Sequence, residues 1–320
     1  MTSFAARLLC FLLAIGCIHF SSYSQTISGT VKNAKTGEAM PFANIFINNT
    51  TLGSTTDEEG NYRIAGNLPR NVELVASFVG YETATKTLNL SGSVTVNFKL
   101  EPLESMLTEV QLKSKRDKKW ERDLRRFKEV FLALPDDPFA SQLDIKNPWV
   151  LDFETVKANG PNYVHATAQE PLKIVNNALG YEVTYYLKDY RFYHHQSSYV
   201  GFVFFDSQDL TDSVDQAKVE INQVSSYMGS IRHLLKSVLL AKVYEEDFQI
   251  FELLPVNHFR VRTNVFSEEL DQSIKRVFAD SIQRIPLENG NYRVIWPFDA
   301  EIIYGGKSWV NDYYSDVYSP

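Results

Sequence analysis

Cysteine is close to absent from this 320-residue chain, which holds two, Cys10 and Cys17. Both lie in an apolar N-terminal stretch. If that stretch is removed, disulfides, thiolate nucleophiles and cysteine-based zinc sites are all excluded. Positive charge is also short. Lys and Arg number 32 against 39 Asp and Glu, a net charge of -7, so no nucleic-acid partner is expected. Glycine and proline number 15 and 12, too few for a collagenous or low-complexity chain. After Phe20 no apolar run is long enough to cross a bilayer as a helix.

Signatures of catalysis are missing too. There is no His-Glu-x-x-His, no Gly-x-Ser-x-Gly elbow and no phosphate-cradling glycine loop. His194-His195 would point to opposite faces of a strand and so would not share one metal ion. Thr55, Asp57, Glu58 and Glu59 lack the alternate spacing and closing glutamate of a calcium loop, and Asp57 reads as the cap of its own turn. The chain is therefore expected to be a non-enzyme without cofactor. The alternative is a hydrolase whose polar groups assemble only in three dimensions.

What is present begins with a targeting segment. Arg7 precedes the apolar run Leu8–Phe20, and Ser22-Tyr23-Ser24 supplies small residues before Gln25. Residues 1–24 read as a secretory signal peptide, which implies export to the periplasm or outer membrane. Leu13-Ala14-Ile15-Gly16-Cys17 is a rival, a lipobox with its spacing off by one, which would make the protein a lipoprotein through Cys17.

From Gln25 to Pro102 short alternating runs recur about every ten residues. Ile27, Gly29 and Val31 form one, Val72, Leu74 and Ala76 another, and Val94, Val96, Phe98 and Leu100 a third. Period two with one buried face predicts a sandwich of antiparallel strands over 25–102. Residues 103–118 read as a charged linker with one strand near Thr108–Leu112. The remainder, 119–320, reads as an α+β domain, so the chain is mainly β with an α+β second half.

Trp120, Leu124, Phe127, Phe131 and Leu134 are spaced as one helix face, ended by Pro135. The other face carries Arg122, Arg125, Arg126 and Lys128. That face suits peripheral contact with anionic lipid or lipopolysaccharide phosphate, or is an ordinary solvated surface. Strands are expected at Trp149–Phe153, Tyr163–Ala168, Leu172–Val175, Tyr181–Tyr193, Tyr199–Phe205, Phe248–Leu254, Phe259–Val265, Tyr292–Trp296 and Ala300–Tyr304. A helix is expected at Ser230–Tyr244, with Ser230 as its cap. Ser267–Ser281 fits helix or strand. The run Tyr181–Phe205 is dense in aromatics. If no bulge intervenes, Tyr181 and Tyr185 take one face, and Tyr186, Tyr190 and Phe192 the other. That second set is the candidate surface for a glycan or an envelope protein, with core packing the alternative.

Two resemblances add to this reading. Gly29-Thr30-Val31, Thr36-Gly37-Glu38, Pro41-Phe42-Ala43-Asn44-Ile45, Gly53-Ser54-Thr55-Thr56-Asp57, Gly60-Asn61-Tyr62-Arg63-Ile64 and Val79-Gly80-Tyr81 follow in order. The set resembles the carboxypeptidase regulatory-like domain, which implies a transthyretin-like seven-stranded sandwich. In that family the domain is an accessory to the peptidase, so the resemblance implies a scaffold or binding module of the Gram-negative envelope and no carboxypeptidase activity. Beyond residue 119, Glu170-Pro171-Leu172-Lys173-Ile174, Ala178-Leu179-Gly180-Tyr181 and the segment Tyr227–Leu235 resemble a companion region of uncharacterised envelope proteins. That resemblance implies architecture and location without an activity.

Overall fold

The computed structural model describes residues 25–103, 116–132, 142–157, 162–193, 196–253, 274–276, 281–287, 291–297, 300–305 and 307–308. The proposed signal segment, the strands expected at Thr108–Leu112 and Phe259–Val265, Leu134 and His194-His195 lie outside the described residues. Contacts divide the chain into two units, Met1–Ile47 with Leu52–Leu107, and Asn48–Thr51 with Thr108–Pro320. The protein is mostly β, a sandwich followed by an α+β region.

The described residues of the first unit form eight strands: β1 (Gln25–Asn33), β2 (Asn44–Ile47), β3 (Gly53–Thr55), β4 (Asn61–Gly66), β5 (Asn71–Ser77), β6 (Ala84–Asn89), β7 (Val94–Thr95) and β8 (Phe98–Leu100). One sheet runs β4-β1-β7 with β8 also beside β1, and the other runs β3-β2-β5-β6. The alternating residues meet between the sheets, where Ile27, Val31, Ile45, Leu74, Phe98 and Leu100 are buried. One expectation is corrected: β1 pairs antiparallel with β4 but parallel with β7 and β8. Alternation reports which face is buried and carries no information on strand direction.

The turns explain the signature residues. Asp57 Oδ1 accepts from the backbone N–H of Glu59 at 3.1 Å and of Asn61 at 2.7 Å, closing an Asx turn. Those bonds, Asn61's first, hold the Asp57 carboxyl below the usual range. The buried Thr56 hydroxyl donates to the Met40 carbonyl at 2.6 Å and accepts from Ala43 N–H at 2.8 Å, fixing the Pro41-Phe42 corner. Gly29 lies where β7 gives way to β8. A Cβ there would sit 1.8 Å from the Val96 carbonyl oxygen.

In the second unit α1 (Lys118–Phe131) lies on an antiparallel sheet. The sheet holds β9 (Leu143–Ile145), β10 (Leu151–Val156), β11 (Tyr163–Ala168), β12 (Leu172–Asn176), β13 (Tyr181–Tyr193) and β14 (Gln196–Ser207). The long hairpin β13–β14 is its spine. The other edge of β13 pairs with β12 over Tyr181–Tyr185 and with β11 over Tyr190–Phe192. Asp117 caps α1, accepting from Lys119 and Trp120 N–H, and Trp120 Nε1 donates to the Leu151 carbonyl at 2.9 Å. Phe127 and Phe131 bury the expected apolar face. Their ring centres lie 4.7 Å from Tyr190 and 4.9 Å from Tyr185 respectively.

A second helix, α2 (Ser213–Tyr227), was not foreseen, and it buries no residue. Its Asn222 and Gln223 side-chain amides donate to the carbonyls of Ala178 and Leu179 at 2.9 and 2.8 Å, buckling it to the β12–β13 turn. Gly180 in that turn has φ +66, and a Cβ there would meet Val219 of α2 at 2.9 Å. At its other end α2 turns through Gly229 (φ +77) into α3 (Ile231–Leu239). Two of the three segments singled out in the sequence, 178–181 and 227–235, are thus the turn to which α2 is bonded and the corner that follows it. Ser230 caps α3 as expected, but α3 stops at Leu239. Ala241 N–H bonds the Val238 carbonyl and Lys242 N–H the Ser237 carbonyl, a left-handed reversal with Ala241 at φ 56.

α3 packs on a third core with Phe248 and Ile250. These belong to the sheet of β15 (Phe248–Leu253), β16 (Ile274–Arg276), β19 (Ala300–Tyr304) and β20 (Lys307–Ser308). A separate hairpin joins β17 (Gln283–Pro286) to β18 (Tyr292–Ile295). The ambiguous stretch Ser267–Ser281 contains the strand β16. No described helix is long and apolar enough to cross a membrane.

Candidate functional site

The aromatic surface expected at Tyr186, Tyr190 and Phe192 is not a surface. They are 9%, 1% and 7% exposed. For Tyr190 and Phe192 the cause is a bulge. The β13–β14 register shifts between Leu187 and Asp189, which leaves Lys188 as an extra residue. Alternation therefore reverses along β13. Val183, Tyr185 and Leu187 share the α1-covered core with Tyr190 and Phe192, while Tyr186 falls to the other face. Gly201, opposite Leu187, leaves room for the Tyr185 ring, because a Cβ there would be 2.5 Å from it. Burial pushes the Tyr185 and Tyr190 phenols up to about 12. Among the described residues the Tyr190 hydroxyl has no hydrogen-bond partner.

The basic face of α1 is largely engaged. Lys128 Nζ pairs with Asp144 at 3.0 Å, and Arg122 reaches the buried Asp123 at 3.2 Å. The Arg126 guanidinium lies 3.8 Å from the centre of the Phe192 ring, a cation–π contact. Arg125 is exposed. Burial pushes the Asp144 carboxyl up, but the Lys128 and Lys146 ammoniums outweigh it and hold that carboxyl below the usual range.

On the face of the sheet away from α1, register brings a polar row together. Glu154 stands opposite His165, His165 opposite Arg191, and Arg191 opposite Ser198. His165 Nδ1 lies 3.2 Å from Glu154 and Nε2 lies 3.2 Å from Asp189. Arg191 Nε adds a 3.0 Å ion pair to Asp189. An imidazole with a carboxylate at each nitrogen has none left to activate a nucleophile. Reasoning from sequence missed this row, because it needs strand pairing across residues distant in the chain. Among the described residues no group of three His, Cys, Asp or Glu is placed to hold a metal ion.

A second histidine, His233 on α3, is buried. Its Nδ1 accepts from Gly229 N–H at 3.1 Å, so Nε2 carries the proton and donates to Glu246 at 3.2 Å. Tyr227, Phe248 and Tyr304 surround the ring. It pins the α2–α3 corner.

A further feature among the described residues is a groove of about 680 Å³ between the end of β14 and α2, open to solvent. Gly180 is among its lining residues, and Gln208, Asp209, Thr211, Gln216, Glu220 and Gln223 supply amide, hydroxyl and carboxylate groups. Among the described residues that line it there is no aromatic ring and no cation. Gln216 and Gln223 are oriented by their bonds to the Leu210 and Leu179 carbonyls.

No curated protein matches the chain. Among solved structures, it is similar to a type II cohesin–X-dockerin complex of Acetivibrio cellulolyticus. The identity is 15%, with 23% of this chain and 52% of that one covered and a TM-score of 0.20. A Bacteroides fragilis protein described as membrane-associated and of unknown function is 18% identical, with 51% and 64% covered and a TM-score of 0.21. A Bacteroides uniformis protein described as carbohydrate-binding is 9% identical, with 57% and 98% covered and a TM-score of 0.21. The chain thus spans about half the length of the first structure it matches. One region is assigned by family: residues 27–112, which hold the β1–β8 sandwich, match the CarboxypepD_reg-like domain.

Proposed function

We propose that this is a non-catalytic binding or scaffold protein of the Gram-negative cell envelope, exported by residues 1–24 to the periplasm or outer membrane. The observation that carries the binding reading is the groove beside α2. Enzymes that exclude water enclose their substrates, whereas this groove is open and lined by amide, hydroxyl and carboxylate groups. Oriented amides and carboxylates match the hydroxyls of an extended glycan chain, and a glycan is the ligand class proposed. The sandwich, with β6 at one margin of its sheet, supplies an edge on which an envelope protein can add a strand.

Calorimetric titration of the chain with envelope oligosaccharides tests the groove. Binding weakened by Gln216→Ala and Glu220→Ala supports it, and binding indifferent to both sinks it. Cleavage of those oligosaccharides would revive the hydrolase alternative, with the groove carboxylates Asp209 and Glu220 the first residues to replace. Fractionation tests location. Recovery in the cytoplasm alone would overturn export, and membrane retention that depends on Cys17 would replace signal cleavage with acylation.

A further inference from the structure

We propose that the outward face of α3 docks on an anionic phospholipid bilayer. Burial along Ile231–Leu240 alternates in pairs: His233, Leu234, Ser237 and Val238 face the core, and the rest face out. The outward residues form two adjacent ridges at four-residue spacing. One is Ile231, Leu235 and Leu239, exposed by 66%, 37% and 39%. The other is Arg232 and Lys236, ending in Leu240 at 56% exposure. A helix that shows an aliphatic ridge beside a cationic one has the chemistry of an interfacial membrane helix.

Charge in the surrounding sequence points the same way. From Ile221 to Tyr244 there is no Asp or Glu, while Arg232, Lys236 and Lys242 are present, in a chain of net charge -7. Beyond this stretch, Glu246 is turned to His233 and Glu245 pairs with Lys242 at 3.7 Å, so Arg232 and Lys236 carry the positive charge of the helix face. Met228 and Tyr244, 42% and 46% exposed, flank the helix with side chains that favour the polar–apolar boundary. A second copy docked on this face by two-fold symmetry would bring cation to cation. A glycan has no use for four exposed aliphatics. An anionic leaflet takes both ridges, with the Arg and Lys stems lying along the apolar one and their charged ends at phosphate.

The helix is already formed. Ser230 caps its start, the Ala241 reversal closes its end and four buried side chains hold it, so docking costs little ordering. The inference is independent of the glycan groove, which uses other residues.

Vesicle flotation tests it. Residues 1–24 would bind vesicles through their own apolar run, so the chain starts at Gln25, which retains every described residue. It is expected to float with phosphatidylcholine vesicles containing phosphatidylglycerol, and far less with phosphatidylcholine alone. Replacing Arg232 and Lys236 by Gln should weaken partitioning roughly 30-fold. Replacing Ile231 and Leu240 by Ser should weaken it roughly tenfold even in high salt. All four positions are exposed, so the melting temperature should not move. The proposal is overturned if the chain fails to float or if these variants float like the parent. It also falls if Arg122→Gln with Arg125→Gln abolishes binding instead, or if Ile231→Ser chiefly abolishes self-association measured without vesicles.

Discussion

Gly29→Ala should unfold the sandwich selectively. Gly29 does not have positive φ, so the obstacle is space alone. To admit the new Cβ, the Val96 carbonyl oxygen must retreat from 1.8 Å to at least 3.0 Å. Three bonds depend on where that segment lies: Tyr62 hydroxyl to Val96 oxygen at 2.7 Å, Val96 N–H to Ser28 oxygen at 2.7 Å, and Thr30 N–H to Asn97 Oδ1 at 2.9 Å. Tyr62 is 4% exposed, and burial pushes its phenol well up. Stranding a buried hydroxyl costs about 1–3 kcal/mol, and each of the other two bonds is worth about 1 kcal/mol. The loss is therefore about 3–5 kcal/mol, a large part of the roughly 5–15 kcal/mol that holds a domain together. All four tryptophans, Trp120, Trp149, Trp296 and Trp309, lie beyond the sandwich. In a urea titration, circular dichroism should show an early transition while tryptophan fluorescence keeps its parental midpoint. An unchanged circular-dichroism profile would refute the steric argument. A fluorescence midpoint that moves in step would refute the selectivity of the unfolding.

Tyr190→Phe removes a buried hydroxyl without a partner and should raise the fluorescence-detected stability by about 1 kcal/mol, with a loss of similar size as the contrary result. Ala241→Gly relieves a left-handed alanine at φ 56; after allowing for the extra entropy of the unfolded glycine chain, a gain of about 0.5–1 kcal/mol in urea is expected, and destabilisation would contradict it. Tyr185 and Tyr190 are raised to about 12 in the fold, against about 10 when unfolded, so they favour the folded state fully below pH ~10 and that contribution declines as pH rises through ~12. Absorbance at the phenolate band should show these two ionising only with unfolding; titration of every tyrosine near pH ~10 in the folded protein would contradict it.

Much of the architecture was legible because burial leaves a local rhythm. Ile27 and Val31, or Val72, Leu74 and Ala76, declare one face of a strand without reference to anything distant. Phe127 and Phe131 do the same for α1, and Ser230 announces the start of α3. What escaped reading is held by distant partners. Helix α2 buries nothing, so it has no apolar stripe, and two side-chain amides secure it to a turn more than 40 residues earlier. The His165 row exists only once β10, β11 and β13 are in register. The groove is bounded by a turn, a strand end and a helix, and none of its residues is unusual alone. The aromatic surface failed at Tyr190 and Phe192 for a narrower reason, since one extra residue reversed the rhythm on which it rested.

That extra residue changes what a single strand can do. Tyr185 and Tyr190 are an odd number of positions apart, so a strand of unbroken parity would send them to opposite sides. Lys188 acts as a half-period phase shift. It returns the second half of the 13-residue strand to the side where α1 lies, and Phe131 and Phe127 each find a ring beneath them. The shift also falls between the segment paired with β12 and the segment paired with β11. One continuous strand thereby serves two neighbours along the same edge and one helix along its whole length. Deleting Lys188 would leave the chain's composition almost untouched, yet it would turn Tyr190 and Phe192 to solvent and drive Asp189 and Arg191 under α1.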